Sequence, residues 1–243
     1  MENIPLSLYI HFPWCIKKCP YCDFNSLEIQ SDTSISEYVS ALGSDLKSEL
    51  VNEQRDELVS IFLGGGTPSL IPGKELNALF KSIGSKFDFL NTEITIEANP
   101  GSSEFSNFRD YKILGVNRLS IGAQTFDERA LEKIGRIHNS SDINNAFDLA
   151  RKAYFENINV DIMYGLPDQT TAEAIDDLDK AIALDPEHIS WYELTIEPNT
   201  LFFKNPPKVP SDIKKERMFE AGTEKLLAAG YAQYEISAYA KEG

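Results

Sequence analysis

Ser60-Ile61-Phe62-Leu63, running straight into Gly64-Gly65-Gly66-Thr67, is a short apolar run that stops on glycines. It suits a parallel strand covered on both faces, since a half-exposed strand would alternate polar and apolar residues. With Val59–Leu63 as its bounds, it is one of six such runs, the others being Leu6–His11, Glu93–Glu97, Arg118–Ile121, Ile158–Met163 and His188–Leu194. Helical periods lie between them. Ile35, Tyr38, Leu42, Leu46 and Leu50 recur at spacings of three or four, behind a capping box of Ser34 and Glu37. A second box, Thr170 with Glu173, opens a helix with Ile175, Leu178 and Ile182 on one face. Asp176, Asp177 and Asp179 are expected on the solvated face of that helix. Repeated strand–helix alternation requires crossovers, so the expected class is α/β, an open or partial (β/α)6 barrel of TIM type with parallel strands inside outer helices.

Working outward, the 243 residues are 42% hydrophobic and 25% charged with 14 Gly and 12 Pro, which excludes disordered, collagenous and low-complexity chains. No internal repeat or flexible linker divides them. The barrel is expected over about residues 5–200 and a C-terminal extension over about 201–243, within one domain. That extension holds a Pro-rich stretch, Asn205-Pro206-Pro207-Lys208-Val209-Pro210, a helix from about Ser211 to Ala229, and a short strand at Tyr234-Glu235-Ile236-Ser237. Lys and Arg number 23 against 38 Asp and Glu, a formal charge of −15 that repels phosphate backbones and anionic lipid headgroups. Nucleic acid is therefore not an expected partner, and membrane contact is expected at most through a partner. Met1-Glu2-Asn3-Ile4-Pro5 lacks the basic start of a leader, and no run of about 18 apolar residues occurs, so a cytoplasmic protein is expected.

All three cysteines fall within eight residues, Cys15-Ile16-Lys17-Lys18-Cys19-Pro20-Tyr21-Cys22, in the loop after the first strand. An odd, clustered set in a chain read as cytoplasmic argues for reduced thiolates. Three thiolates on one short loop can converge on an iron–sulfur cubane, leaving one of its four irons open for chemistry. A structural zinc, with His11 as fourth ligand, and a redox thiol site are the alternatives.

Other polar residues stand at the carboxyl ends of successive strands, where parallel barrels place their active sites. Gly64-Gly65-Gly66-Thr67 ends the second strand; glycines allow close approach to the backbone, and the spacing is not that of a P-loop. Glu97 ends the third strand and can accept bonds from vicinal ribose hydroxyls. Gln124 ends the fourth and offers both donor and acceptor. Asp161 interrupts the apolar fifth strand, where a buried carboxylate needs a polar ligand or donor.

Tyr9-Ile10-His11-Phe12-Pro13-Trp14-Cys15 through Cys22-Asp23-Phe24-Asn25-Ser26 resembles the cluster loop of radical S-adenosylmethionine (SAM) enzymes. It is most similar to the group holding oxygen-independent coproporphyrinogen III oxidases and HemW-type haem chaperones. The resemblance continues through Gly64–Pro68, Ile96–Pro100, Ser120–Thr125, Asp161–Pro167 and Trp191–Leu194. It implies a [4Fe-4S] cluster on Cys15, Cys19 and Cys22, whose open iron binds SAM and cleaves it to a deoxyadenosyl radical. It also implies a SAM pocket of Tyr9, Tyr21, Gly65, Gly66, Thr67, Glu97, Gln124, Arg136 and Asp161, with Tyr21 near the adenine and Arg136 on the methionine carboxylate.

Oxidases of this group carry a further cysteine two positions after the third, where this chain has Phe24, and a longer segment before the cluster than the 14 residues here. Cys22-Asp23-Phe24-Asn25-Ser26 matches the chaperone branch, implying haem as ligand with a haem-receiving protein and a reductant as partners. Oxidative decarboxylation of porphyrinogen propionates is the alternative, and a non-enzymatic zinc module the second. Relatives carry a C-terminal domain with a His-Asn motif associated with haem, expected to be absent here. His138 and His188 read as structural residues and not as axial haem ligands.

Overall fold

The computed structural model describes residues 4–51, 53, 55–101 and 107–242. The Met1–Asn3 start, part of the leader reading, lies outside them. In chain order the elements are β1 (Ser7–Phe12), β2 (Trp14–Cys15), β3 (Leu27–Glu28), α1 (Ile35–Glu49), β4 (Ser60–Gly65), α2 (Gly73–Gly84), β5 (Glu93–Ala98), α3 (Phe108–Ile113) and β6 (Arg118–Gln124). There follow α4 (Glu128–Lys133), α5 (Ser140–Lys152), β7 (Ile158–Tyr164), α6 (Thr171–Ala183), β8 (His188–Glu193), α7 (Leu201–Lys204), α8 (Asp212–Ala228), β9 (Tyr231–Glu235) and β10 (Ala238–Lys241).

The sheet order is β1-β4-β5-β6-β7-β8-β10-β9, parallel from β1 to β8 and antiparallel at the last two joints. These are the six expected strands in their expected order, an open barrel with β1 and β9 as edges. The segment after residue 200 continues the same body: α8 packs on α6, and the β9–β10 hairpin extends the sheet from β8. Here the sequence reading needs correction. Ile236 and Ser237, expected inside one short strand, form the turn between two.

The strands are also less uniform than they read. Ile10 and Phe12, Ile61 and Leu63, Ile94 and Ile96, Leu119 and Ile121, and Val160 and Ile162 are buried in the core shared with the helices. The residues that alternate with them, Thr95, Ser120, Asn159, Asp161, Ser190 and Tyr192, are polar, and most of them reach a cavity. Period two therefore operates, with an apolar outer face and a polar inner one.

On the outside, Leu76, Leu79, Phe80 and Ile83 of α2 and Ile143, Ala146, Phe147 and Ala150 of α5 are buried against the sheet. Each large side chain so buried contributes about 1.5–3 kcal/mol of transfer free energy. In α1 the expected spine packs on the core, but only half of its capping box forms: Ser34 Oγ accepts from Glu37 N at 3.3 Å. The Thr170–Glu173 box closes in both directions, as does an unanticipated one of Asn139 and Asp142. On α6 the buried face is turned from the expected one. It comprises Ala174, Asp177, Leu178 and Ala181, so Asp177 is 1% exposed, while Asp176 and Asp179 stay outside, paired with Lys180 and Lys225.

Candidate functional site

The cysteine loop leaves β1 at Phe12 and returns beside itself, since Trp14–Cys15 pairs in parallel with Leu27–Glu28. Leu27 N donates to Pro13 O (2.7 Å) and Ile29 N to Cys15 O (2.8 Å), closing the loop at its neck. Lys18 Nζ fills it from within, donating to Phe24 O (2.9 Å) and Ser26 O (3.0 Å). His11 braces the far side, its Nε2 2.8 Å from Asn25 O and its Nδ1 3.1 Å from Tyr9 Oη. Both ring nitrogens are therefore engaged, which argues against His11 as a fourth zinc ligand. Among the described residues, no three His, Cys, Asp or Glu side chains gather closely enough to share one metal ion. Thiolates bound to separate irons of a cubane need no such convergence.

Cys15, Cys19 and Cys22 line one wall of a cavity of about 460 Å³ at the carboxyl ends of the strands. Burial pushes the Cys15 and Cys22 thiols up, opposed by bonds to Thr67 and Ser26 at Cys15 and to Phe24 backbone and Ser26 at Cys22. Cys19 Sγ accepts from Arg136 Nη1 at 3.7 Å, so a cation already faces the thiols.

Beside them, β4 ends on the glycine loop. Gly66 N donates to Phe12 O (2.7 Å) and Thr67 N to Trp14 O (2.8 Å), binding it edge to edge with the start of the cysteine loop. A Cβ on Gly66 would lie 2.7 Å from Trp14 O, and one on Gly65, at φ +115°, 2.6 Å from His11 Cε1. The glycines thus serve first to let two backbones meet, and this contact sets the thiols against the strand ends.

Glu97 and Asp161 share the cavity. Burial, reinforced by the charge of Asp161, pushes Glu97 up to about 7, although Gly65 N donates to it at 3.2 Å. Asp161 is likewise raised by burial, against donors below it. Asn159 Nδ2 lies 2.8 Å from Oδ1 and Ser120 Oγ 3.1 Å from Oδ2, with Ser190 completing the group. Gln124, at φ +69° beside an irregularity in the β6–β7 register, turns its carbonyl oxygen to accept from Tyr192 Oη. Arg136 donates from Nη2 to Asn99 Oδ1 (2.5 Å) and Gly122 O (2.6 Å), and Asn99 Nδ2 donates to Thr67 Oγ1 (2.8 Å). Tyr21 packs against Phe202 and stands beside Arg136 and Cys19.

The fold thus gathers the three cysteines, Tyr21, Gly65, Gly66, Thr67, Glu97, Gln124, Arg136 and Asp161 around one cavity. Tyr9 is not on its wall: it stacks on Phe62 along the edge strand, 57% exposed, with its hydroxyl on His11. The sequence reading did not single out Ser120, Asn159, Ser190 and Tyr192, although polar residues at alternate positions of β7 and β8 were the available signal. His138 is buried with Nε2 3.3 Å from Ala123 O, and burial beside Arg136 lowers it to about 3, as befits a structural histidine. His188 lies edge-on to Tyr234 at the opposite end of its strand from the cavity.

The sequence pattern of the radical SAM superfamily matches residues 9–181. "Heme chaperone HemW" of Haemophilus influenzae is 50% identical over 98% of this chain, and that of Escherichia coli is 49% identical over 98%. The chain spans 64% of the length of each. Among solved structures, coproporphyrinogen III oxidase (HemN) from Escherichia coli superposes with a TM-score of 0.89 at 26% identity, covering 98% of this chain and 56% of that one. With the superfamily pattern covering most of its length and its cysteine loop facing the strand-end cavity, the chain belongs to the radical SAM superfamily.

Proposed function

We propose that this chain is a radical SAM protein of haem metabolism that works as a HemW-type chaperone, binding haem in the cytoplasm and passing it to haem proteins. The observation that carries the radical SAM part is one cavity lined both by the three thiols of a single loop and by Glu97, Gln124 and Arg136, the last in contact with Cys19. Cys15, Cys19 and Cys22 would hold three irons of a [4Fe-4S] cluster. When bound, that cluster supplies one electron for the reductive cleavage of SAM.

The chain's own residues would bind and orient the cofactor. Arg136, fixed through Nη2 by Asn99 and Gly122 beside the thiols, would offer its charge and its remaining Nη1 hydrogen to a carboxylate there. Glu97 would accept from ribose hydroxyls, and its ionisation is favoured by a cationic sulfonium nearby. Asp161, held by Ser120 and Asn159, adds negative potential to the cavity.

Two observations support the chaperone over the oxidase. Phe24 stands where the oxidases carry their further cysteine, and its side chain is 58% exposed at the cavity mouth. Asp23, Glu97, Asp161, Glu193 and Glu197 line the cavity against only Lys17 and Arg136, a wall that repels a porphyrinogen rich in propionates. Haem would then be held outside the cavity. An anaerobic EPR spectrum of the reconstituted, reduced protein, with and without SAM, tests the proposal. A cubane signal shifted by SAM is expected, and a signal indifferent to SAM overturns the cofactor assignment. Turnover of coproporphyrinogen would replace the chaperone reading with the oxidase.

A further inference from the structure

Asp177 belongs to α6 and is not among the residues that line the cavity, yet its carboxylate is buried with no ion pair among the described residues. It accepts from Thr125 Oγ1 and Phe126 N, both at 2.7 Å, and from Gln169 Nε2 at 3.3 Å. Gln169 Oε1 in turn accepts from Leu166 N at 3.1 Å, so the β6–α4 and β7–α6 loops are fastened to the same group. An apolar residue between Ala174, Leu178 and Ala181 would avoid the desolvation cost of a carboxylate but would leave Thr125 Oγ1, Phe126 N and Gln169 Nε2 without this acceptor. The value of Asp177 therefore lies in what it holds.

Thr125 and Phe126 directly follow Gln124, whose left-handed backbone is strained for a residue with a side chain. Release of their bonds would free Gln124 to relax and turn its amide out of the cavity. A second line runs forward. Thr125 Oγ1 also accepts from Asp127 N (3.0 Å), and Asp127 Oδ1 accepts from Ala130 N (2.8 Å), capping the short helix α4 that delivers Arg136. One buried carboxylate thus stands behind two residues on the cavity wall.

We propose that Asp177 is a positioning residue of the SAM pocket, fixing Gln124 through Thr125 and Phe126 and Arg136 through α4. The inference rests on the SAM reading given above, and the test separates the two. SAM affinity of the anaerobically reconstituted chain is measured by equilibrium dialysis, alongside Tm, iron content and hydrogen exchange at Phe126 N–H without SAM. For Asp177→Ala, we expect unchanged iron, faster Phe126 exchange and SAM affinity lower by about tenfold, the equivalent of one or two buried hydrogen bonds. Asp177→Asn keeps one acceptor for Phe126 N–H and should restore most of that affinity, whereas Asp177→Leu, of similar size with no acceptor, should not; a purely packing role predicts rescue by both.

A lower Tm with SAM affinity unchanged in the folded protein overturns the inference, as does unchanged exchange at Phe126. If Asp177→Ala does not fold, Thr125→Val removes the same hydroxyl bond with little change of shape, and unchanged affinity there overturns it equally. Failure of the unsubstituted chain to bind SAM would fell the cofactor reading instead, leaving the exchange result to judge what Asp177 holds.

Discussion

Replacing Glu97 by glutamine should stabilise the protein at high pH and do little at low pH. Glu97 stands at about 7 in the folded chain, against an ordinary 4.5, because it is buried beside Asp161. Between those values the folded state binds more protons than the unfolded one, so this group's contribution to stability is full below about pH 4.5 and falls as pH rises through 7. A difference of about 2.5 pKa units at 1.36 kcal/mol each makes the ionised form cost roughly 3 kcal/mol at pH 8 and about 1 kcal/mol at pH 5. The substituted amide never ionises, and its oxygen can keep the bond from Gly65 N. Urea denaturation of the cluster-free protein and of E97Q, at pH 5 and pH 8, therefore should give a stabilisation that grows by about 2 kcal/mol between the two. An E97Q effect equal at both pH values would refute the reasoning, because it would mean that Glu97 is not titrating in a buried, like-charged site.

Further outcomes follow from other contacts. Gly66→Ala places a methyl 2.7 Å from the Trp14 carbonyl and should cost about 2–4 kcal/mol, read as a lower Tm, with loss of iron uptake because the cysteine loop is displaced. Cys19→Ala should abolish the brown absorbance and the iron content of the reconstituted protein, and chelation of iron from the unsubstituted chain should remove SAM binding with it. Asn159→Ala strips a donor from Asp161 and leaves neighbouring hydroxyls poorly satisfied, so a loss of about 1–3 kcal/mol is expected in denaturant titrations. Phe24→Cys recreates the oxidase spacing; retention of iron with no coproporphyrinogen turnover is expected, since the acidic cavity wall is unchanged, and turnover would count against that electrostatic argument.

The sequence by itself determined the order of strands and helices, because apolar runs ending on Gly64, Glu97 and Gln124 separate helical periods long enough to make crossovers. It also placed Cys15, Cys19 and Cys22 together on one loop of eight residues, while their spacing left iron–sulfur, zinc and redox-thiol readings open. What only the tertiary structure decided depends on rotation and register. A one-residue turn of the buried face of α6 moved Asp177 from the expected solvent side into the core, where Thr125 and Phe126, 52 and 51 positions earlier, supply its partners. On the polar inner face of β6 to β8, Ser120 and Ser190 of the neighbouring strands meet Asp161 and its strand-mate Asn159, partners that only the sheet pairing chose. Such partners are set by sheet pairing and helix rotation, which local spacing does not encode, whereas the nearness of three cysteines within eight residues is written in the spacing itself.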